Sequence, residues 1–375
     1  MPSLLRKPVV LVIVLAAVNV WGGPFAVARP APQRASGRHP HHHQARDRHH
    51  RRHGRRRHSQ RSSGPSRLFA SNSVWNQPLP VSAPLDPSSP ERIASLMDDI
   101  DPPGPGVWLN WSQYSVSVYR VPVNQPTVRV NLDVGGPLLQ SAWQAVPIPA
   151  AATPAPGSDA SAVIYQPSTD KMWEFWQLRK QSDGFHARWG GAMASVSSNP
   201  GYYSSASWPA LPPGAGSDWG SSASSLPAVA GLMTISELRS GHIDHALSVA
   251  TRQACNWHVW PAQRTDGVSN DLNCLPEGAH LRLDPGLDLA KLNLPPIALM
   301  MAQAMQKYGM IVHDTTNSST TFYAEQPTDG SDPYSGPNGF FGGQPEWQFL
   351  RELPWDHLQL LKLGPQCTQD PCASS

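Results

Sequence analysis

Two aromatic residues, two arginines, a histidine and a glutamine alternate along one stretch of this 375-residue chain. The stretch is Met172-Trp173-Glu174-Phe175-Trp176-Gln177-Leu178-Arg179, followed after Lys180 to Gly184 by Phe185-His186-Ala187-Arg188-Trp189. Asp183-Gly184 is a two-residue hairpin signal that pairs Ser182 with Phe185. A four-residue loop moves the register without changing the faces, because strand side chains alternate with period two. One face then gathers Trp173, Phe175, Gln177, Arg179, His186 and Arg188. The aromatics offer platforms for sugar rings. The arginines can grip a carboxylate, His186 can move a proton near neutral pH, and Gln177 can orient a hydroxyl. These are the parts of a lyase acting on an acidic polysaccharide, or of a lectin for one. The same pattern also suits a plain sheet face with Trp173 and Phe175 covered by another element. Glu174 falls on the opposite, core-forming face and requires a partner there.

Other candidates are smaller. In Gly241-His242-Ile243-Asp244-His245-Ala246-Leu247, an extended chain places His242 and Asp244 on one face, as two ligands of a metal site that needs a third. His313-Asp314 closes a strand. Asp329 and Asp332, in a Pro/Gly/Asp/Ser-rich loop from Gln326 to Pro345, are candidates for a structural calcium, although the spacing matches no calcium motif. No cofactor is required by any of these groups. The chain has no Gly-x-Ser-x-Gly, no His-Glu-x-x-His and no phosphate loop.

The elements that must position these residues read as mainly β. Val116, Val118, Val121 and Val123 flank Tyr119, and Val128, Val130, Leu132 and Val134 alternate with polar residues. Val163-Ile164-Tyr165 precedes the turn Pro167-Ser168-Thr169-Asp170. The expectation is an antiparallel β-sandwich of jelly-roll type with a few short packed helices. One helix is specified by Ile297, Met300, Met301, Ala304, Met305 and Tyr308, with Pro295-Pro296 before it and Gly309 after it. A shorter one is expected from Ser236, as N-cap, to about Arg239, stopped by Gly241. Forty prolines and 29 glycines argue against a helical bundle.

The net charge of +2 averages two opposed regions. Residues 1–67 carry 14 of the 29 Lys and Arg and one acid, Asp47, whereas the rest of the chain has 15 basic and 26 acidic residues. Arg6 and Lys7, the apolar run Val9 to Val18 and Ala26-Val27-Ala28 read as a secretory signal over residues 1–28. The run is too short to span a bilayer, so no membrane span is expected after cleavage. Residues 29–67 have 12 arginines, eight histidines and no large apolar residue. They read as a disordered His/Arg-rich linker that adheres to polyanions or captures divalent metal. Residues 68–375 read as a single β-rich globular domain. Four cysteines in an exported chain suggest bridges, and proximity favours Cys255–Cys274 and Cys367–Cys372. Zinc is the competing reading, with unsuitable spacing.

Ser73-Val74-Trp75-Asn76 with Pro78-Leu79, the Trp173 to Gly191 block, the Gly241 to Leu247 box, and Tyr308-Gly309-Met310-Ile311-Val312 before Asp314 together resemble an uncharacterised family of secreted proteins of high-GC bacteria. The resemblance spans most of residues 68–365 and implies export. A fainter likeness to jelly-roll polysaccharide lyases and lectins rests on the aromatic strand with Gln177, His186 and Arg188. The expected role is binding or processing of extracellular carbohydrate, in a secreted or cell-wall-associated protein. In the lyase form Arg179 and Arg188 hold the carboxylate and His186 moves the proton. The alternative is a non-enzymatic surface protein working through its tail. No nucleic acid partner is expected.

Overall fold

Leu247–Thr251 and Met310–Thr315 are the runs from which the larger sheet grows, and Leu247–Thr251 is buried along its whole length. A strand covered on both faces has no use for alternation, so it reads as a continuous apolar run. The two lie parallel. A parallel pair needs a long crossover, and the crossover here includes the helix Pro296–Lys307. Around this pair the computed structural model builds a six-stranded mixed sheet. Its order is Val107–Asn110, Thr320–Tyr323, Leu247–Thr251, Met310–Thr315, His280–Leu283 and Leu358–Leu360. The structure describes residues 67–100, 106–209 and 211–367, all within one compact unit of residues 61–375. The signal reading and most of the His/Arg-rich stretch lie outside the described residues.

Successive residues of Met310–Thr315 serve opposite faces. Met310 and Val312 join a core formed with the helices Ser89–Ile100, Pro296–Lys307 and Glu346–Arg351. Ile311, with Ala246 and Tyr308, joins a second core on the other side. A five-stranded sheet packs into that second core, in the order Glu325–Gln326, Val116–Arg120, Ser161–Gln166, Lys171–Trp176 and Trp189–Ala194. Its first three strands are mutually parallel and the rest antiparallel. Two small sheets complete the fold. One holds Val130–Leu132, Gly184–Ala187 and Arg179–Gln181, and the other Ala254–His258 and Leu275–Glu277.

The expected jelly-roll sandwich is therefore incorrect: the fold is mixed α/β, with several open sheets. Alternation in sequence reports which face a side chain occupies but not the direction of the neighbouring strand. Val116–Arg120 pairs in parallel with Ser161–Gln166, across a connection that a meander of hairpins does not contain. The expected hairpin is also split. Trp176 pairs with Trp189 in one sheet and Arg179 with His186 in another. Between them Gln177 takes a positive φ of 57°, a conformation that ends a strand. The turn sits at Ser182-Asp183, one residue earlier than Asp183-Gly184, because Gln181 pairs with Gly184.

The Met-rich helix runs from Pro296 to Lys307 with its Met and Ala stripe in the core. The short helix runs Ile235–Ser240 and is capped by Thr234, not Ser236. Thr234 accepts from the Glu237 amide while the Glu237 carboxylate accepts from the Thr234 amide, a reciprocal pair that Ser236 has no equivalent acid to make. Cys255 and Cys274 form a disulfide; Cys372 lies outside the described residues. Among the described residues no helix is long and apolar enough to cross a membrane.

Candidate functional site

The aromatic strand is an interior strand of the five-stranded sheet, and packing against both of its faces decides what its residues can touch. Trp173 and Phe175 are buried, with Trp173 Nε1 donating to the Ala142 carbonyl at 3.1 Å. Neither offers a platform to a ligand. Beyond the Gln177 break, His186 is held between two carboxylates, Nδ1 at 3.0 Å from Asp133 and Nε2 at 3.0 Å from Asp183. Arg179 pairs with Asp133 at 2.6 Å. Hydrogen bonding to Asp133 raises the His186 pKa above its usual value. The polar half of the expected face is thus a self-neutralised network. Arg188 stands apart, with its guanidinium 5.8 Å from the Trp176 ring.

Of the expected metal ligands, His242 lies 3.4 Å from Asp244, which also faces Arg67 at 3.6 Å and the Tyr308 hydroxyl at 3.4 Å. The other histidine of that box, the half-buried His245, pairs instead with Glu237 at 3.1 Å. Asp329 accepts from the amide and hydroxyl of Ser331, and Asp332 from the amides of Tyr334 and Ser335. These carboxylates cap the turns of their own loop. Tyr334 anchors that loop by donating to the Glu325 carbonyl at 2.6 Å.

A different group of residues converges at one end of the larger sheet. Asp266, Glu277 and Asp314 bring carboxylate oxygens within 4.8 Å of one another. Each is placed by a local irregularity. Asp314 follows a register shift between Val312 and Asp314, and a bulge of this kind re-aims a side chain at the end of a strand. Glu277 ends its strand at Gly278, whose φ of +88° and close approach to the Val259 carbonyl leave no room for a Cβ. Asp266 lies in the segment closed by the Cys255–Cys274 bridge. Two residues before it, Arg264 donates to the carbonyls of Asp218, Gly220, Ser222 and Ala223 at 2.7 to 3.2 Å.

Electrostatics at this point are unfavourable for charge. Burial, then Asp314 and Asp266, push the Glu277 carboxyl well above the usual carboxylate range. Burial and then Asp266 do the same to Asp314, with Asp159 adding to the effect. Asp266 is exposed as a residue, but desolvation of its carboxyl among the other acids raises it, against which Arg264 acts. Glu277 has no exposed surface, and neither of its oxygens accepts a well-formed hydrogen bond.

Asp266 and Asp314 line the floor of a cleft of about 1030 Å³, and the buried Glu277 stands against them. Trp108 and Tyr114, 40 % and 44 % exposed, stand at its rim. Trp176 and Trp189 line it too, Trp176 donating from Nε1 to Asp159 at 3.2 Å. Ser221, Thr316 and Asn317 supply hydroxyls and an amide along the walls. The arrangement is an acidic floor below aromatic and small polar walls.

No family model, curated protein or solved structure matches this chain.

Sequence reasoning did not find Asp266, Glu277 or Asp159. Asp314 was visible only as the end of a strand. The three clustered acids sit in unrelated sequence contexts with no common spacing. The one local signal is Glu277 itself, a lone acid in the apolar run Cys274-Leu275-Pro276-Glu277-Gly278-Ala279.

Proposed function

We propose that this is an exported glycan-binding protein whose acid-floored cleft holds a neutral or amino-sugar polymer. The carrying observation is the pair of exposed rings, Trp108 and Tyr114, at the mouth of a polar-walled cleft. Exposed indole and phenol rings stack against the apolar face of a pyranose, while hydroxyls and amides satisfy its edge. Arg179 and Arg188 do not line the cleft, so the acidic glycan expected from their face loses its arginine grip, and hydroxyl- and amide-lined walls favour an uncharged or amino sugar. Export rests on the N-terminal sequence pattern.

Binding suits the carboxylate geometry better than hydrolysis. Glycosidases place two carboxyl groups on either side of the scissile bond, about 5–9.5 Å apart. Here three converge on one point, and the buried Glu277 has no access to a glycosidic oxygen.

The full exported chain is to be screened against neutral, amino-sugar and uronate polymers by affinity electrophoresis. Retention by a neutral or amino-sugar polymer, weakened about tenfold in Trp108→Ala, is the expected result. Retention by uronates alone, or binding unchanged in both Trp108→Ala and Tyr114→Ala, would sink the proposal.

A further inference from the structure

We propose that Asp266, Glu277 and Asp314 form a calcium site at the floor of the cleft. Two independent observations carry it. The first is geometric: the three oxygens all lie within 4.8 Å of one another. Calcium–oxygen bonds are roughly 2.4 Å, so one calcium ion can gather the three carboxylates with small side-chain movements. Magnesium, with bonds of about 2.1 Å and a demand for octahedral geometry, requires a tighter cluster.

The second observation is the state of Glu277. Its side chain is fully buried, yet no donor makes a well-formed hydrogen bond to either oxygen. A buried carboxylate without donors is strongly unfavourable unless a cation or a proton accompanies it. Arg264, the nearby cation, favours charge on Glu277 and Asp266 while also holding four main-chain carbonyls of the 218–223 segment, and one positive charge does not balance three carboxylates. Three carboxylates brought this close repel one another as anions, and a divalent ion relieves that repulsion.

Calcium accepts six to eight oxygen ligands, more than three carboxylates provide in single contacts. Asp266 is exposed and the cleft opens on its side. The remaining positions therefore face the space where a sugar would lie, and vicinal hydroxyls have the spacing to enter them. Only this last step rests on the glycan reading; the ion site does not.

The test uses the full chain freed of metal with a chelator, with no glycan present. Terbium serves as the calcium probe, sensitised by the nearby aromatic residues, and calcium is then added in competition. The expected result is saturable terbium luminescence displaced by calcium, with affinity reduced at least about tenfold in Glu277→Gln and Asp314→Asn, on the basis that ligand charge sets affinity at such sites. Magnesium should displace terbium far less well. Luminescence that is absent, or that is unchanged in both variants, overturns the site. Circular dichroism shows whether each variant is folded; should Glu277→Gln not fold, Asp314→Asn and Asp266→Asn decide the outcome. Glycan retention is measured separately in chelator, so loss of the ion site and loss of the glycan reading appear as different results.

Discussion

Glu174 and Glu277 are both fully buried glutamates, and the molecule treats them in opposite ways. Glu174 accepts from the Ser221 amide at 2.6 Å, the Ser221 hydroxyl at 3.2 Å and the Ala228 amide at 2.9 Å. Glu277 has no well-formed hydrogen bond to either oxygen, although the Thr265 hydroxyl approaches it. A buried acid with donors on both oxygens is a structural cross-link, here tying the 221–228 segment to the smaller sheet. A buried acid without them is destabilising unless something else neutralises it. The contrast separates a residue that serves folding from one that serves binding, without reference to any other protein.

The comparison breaks first at Glu174. Replacing it with Ala leaves two part-buried amides without an acceptor and a cavity in the core, and a loss of about 3 kcal/mol in urea unfolding is expected. A loss near zero would mean that the Ser221 and Ala228 amides find water or other partners. Next comes its proton. Burial raises the Glu174 carboxyl from 4.5 to about 7. The folded state therefore binds more protons than the unfolded state between those values. The resulting stability is present below about pH 4.5 and is lost as pH rises through about 7. The shift corresponds to about 3 kcal/mol. It is read as the pH dependence of wild type minus that of Glu174→Gln, because His280 and His313, both pushed down to about 4 by burial, contribute the opposite slope in overlapping range. The smallest effect has the opposite sign. In chelator, Glu277→Leu is expected to match or exceed wild type by about 1 kcal/mol, since removing a buried carboxyl without well-formed hydrogen bonds offsets the change in packing. A loss comparable to that of Glu174→Ala would erase the distinction between the two glutamates.

Parts of this picture are legible in the sequence. Glu174 stands out as an acid on a core-forming face, and its need for a partner follows from alternation alone. Which donors answer that need does not, because Ser221 and Ala228 come from a loop some fifty residues away. The Met-rich helix is legible because helical periodicity is a local property. The Cys255–Cys274 bridge is legible because short loops close readily. Strand direction is not, since the same alternating valines serve a parallel or an antiparallel neighbour. Trp173 and Phe175 illustrate the cost: a half-buried sheet would have exposed them, and a central strand does not. The acidic floor escapes sequence reasoning for a related reason. Asp266, Glu277 and Asp314 meet only after a bulge, a glycine turn and a disulfide-closed loop have each aimed one carboxylate at the same point.

Arg264 joins these regions into one mechanism. Its guanidinium fastens the 218–223 segment, it lies two residues from Asp266, and Ser221 in that segment donates to Glu174. One wall of the cleft is therefore fastened from both sides, to the disulfide-closed loop through Arg264 and to the smaller sheet through Glu174, and its shape is set by two charged side chains rather than by strand pairing.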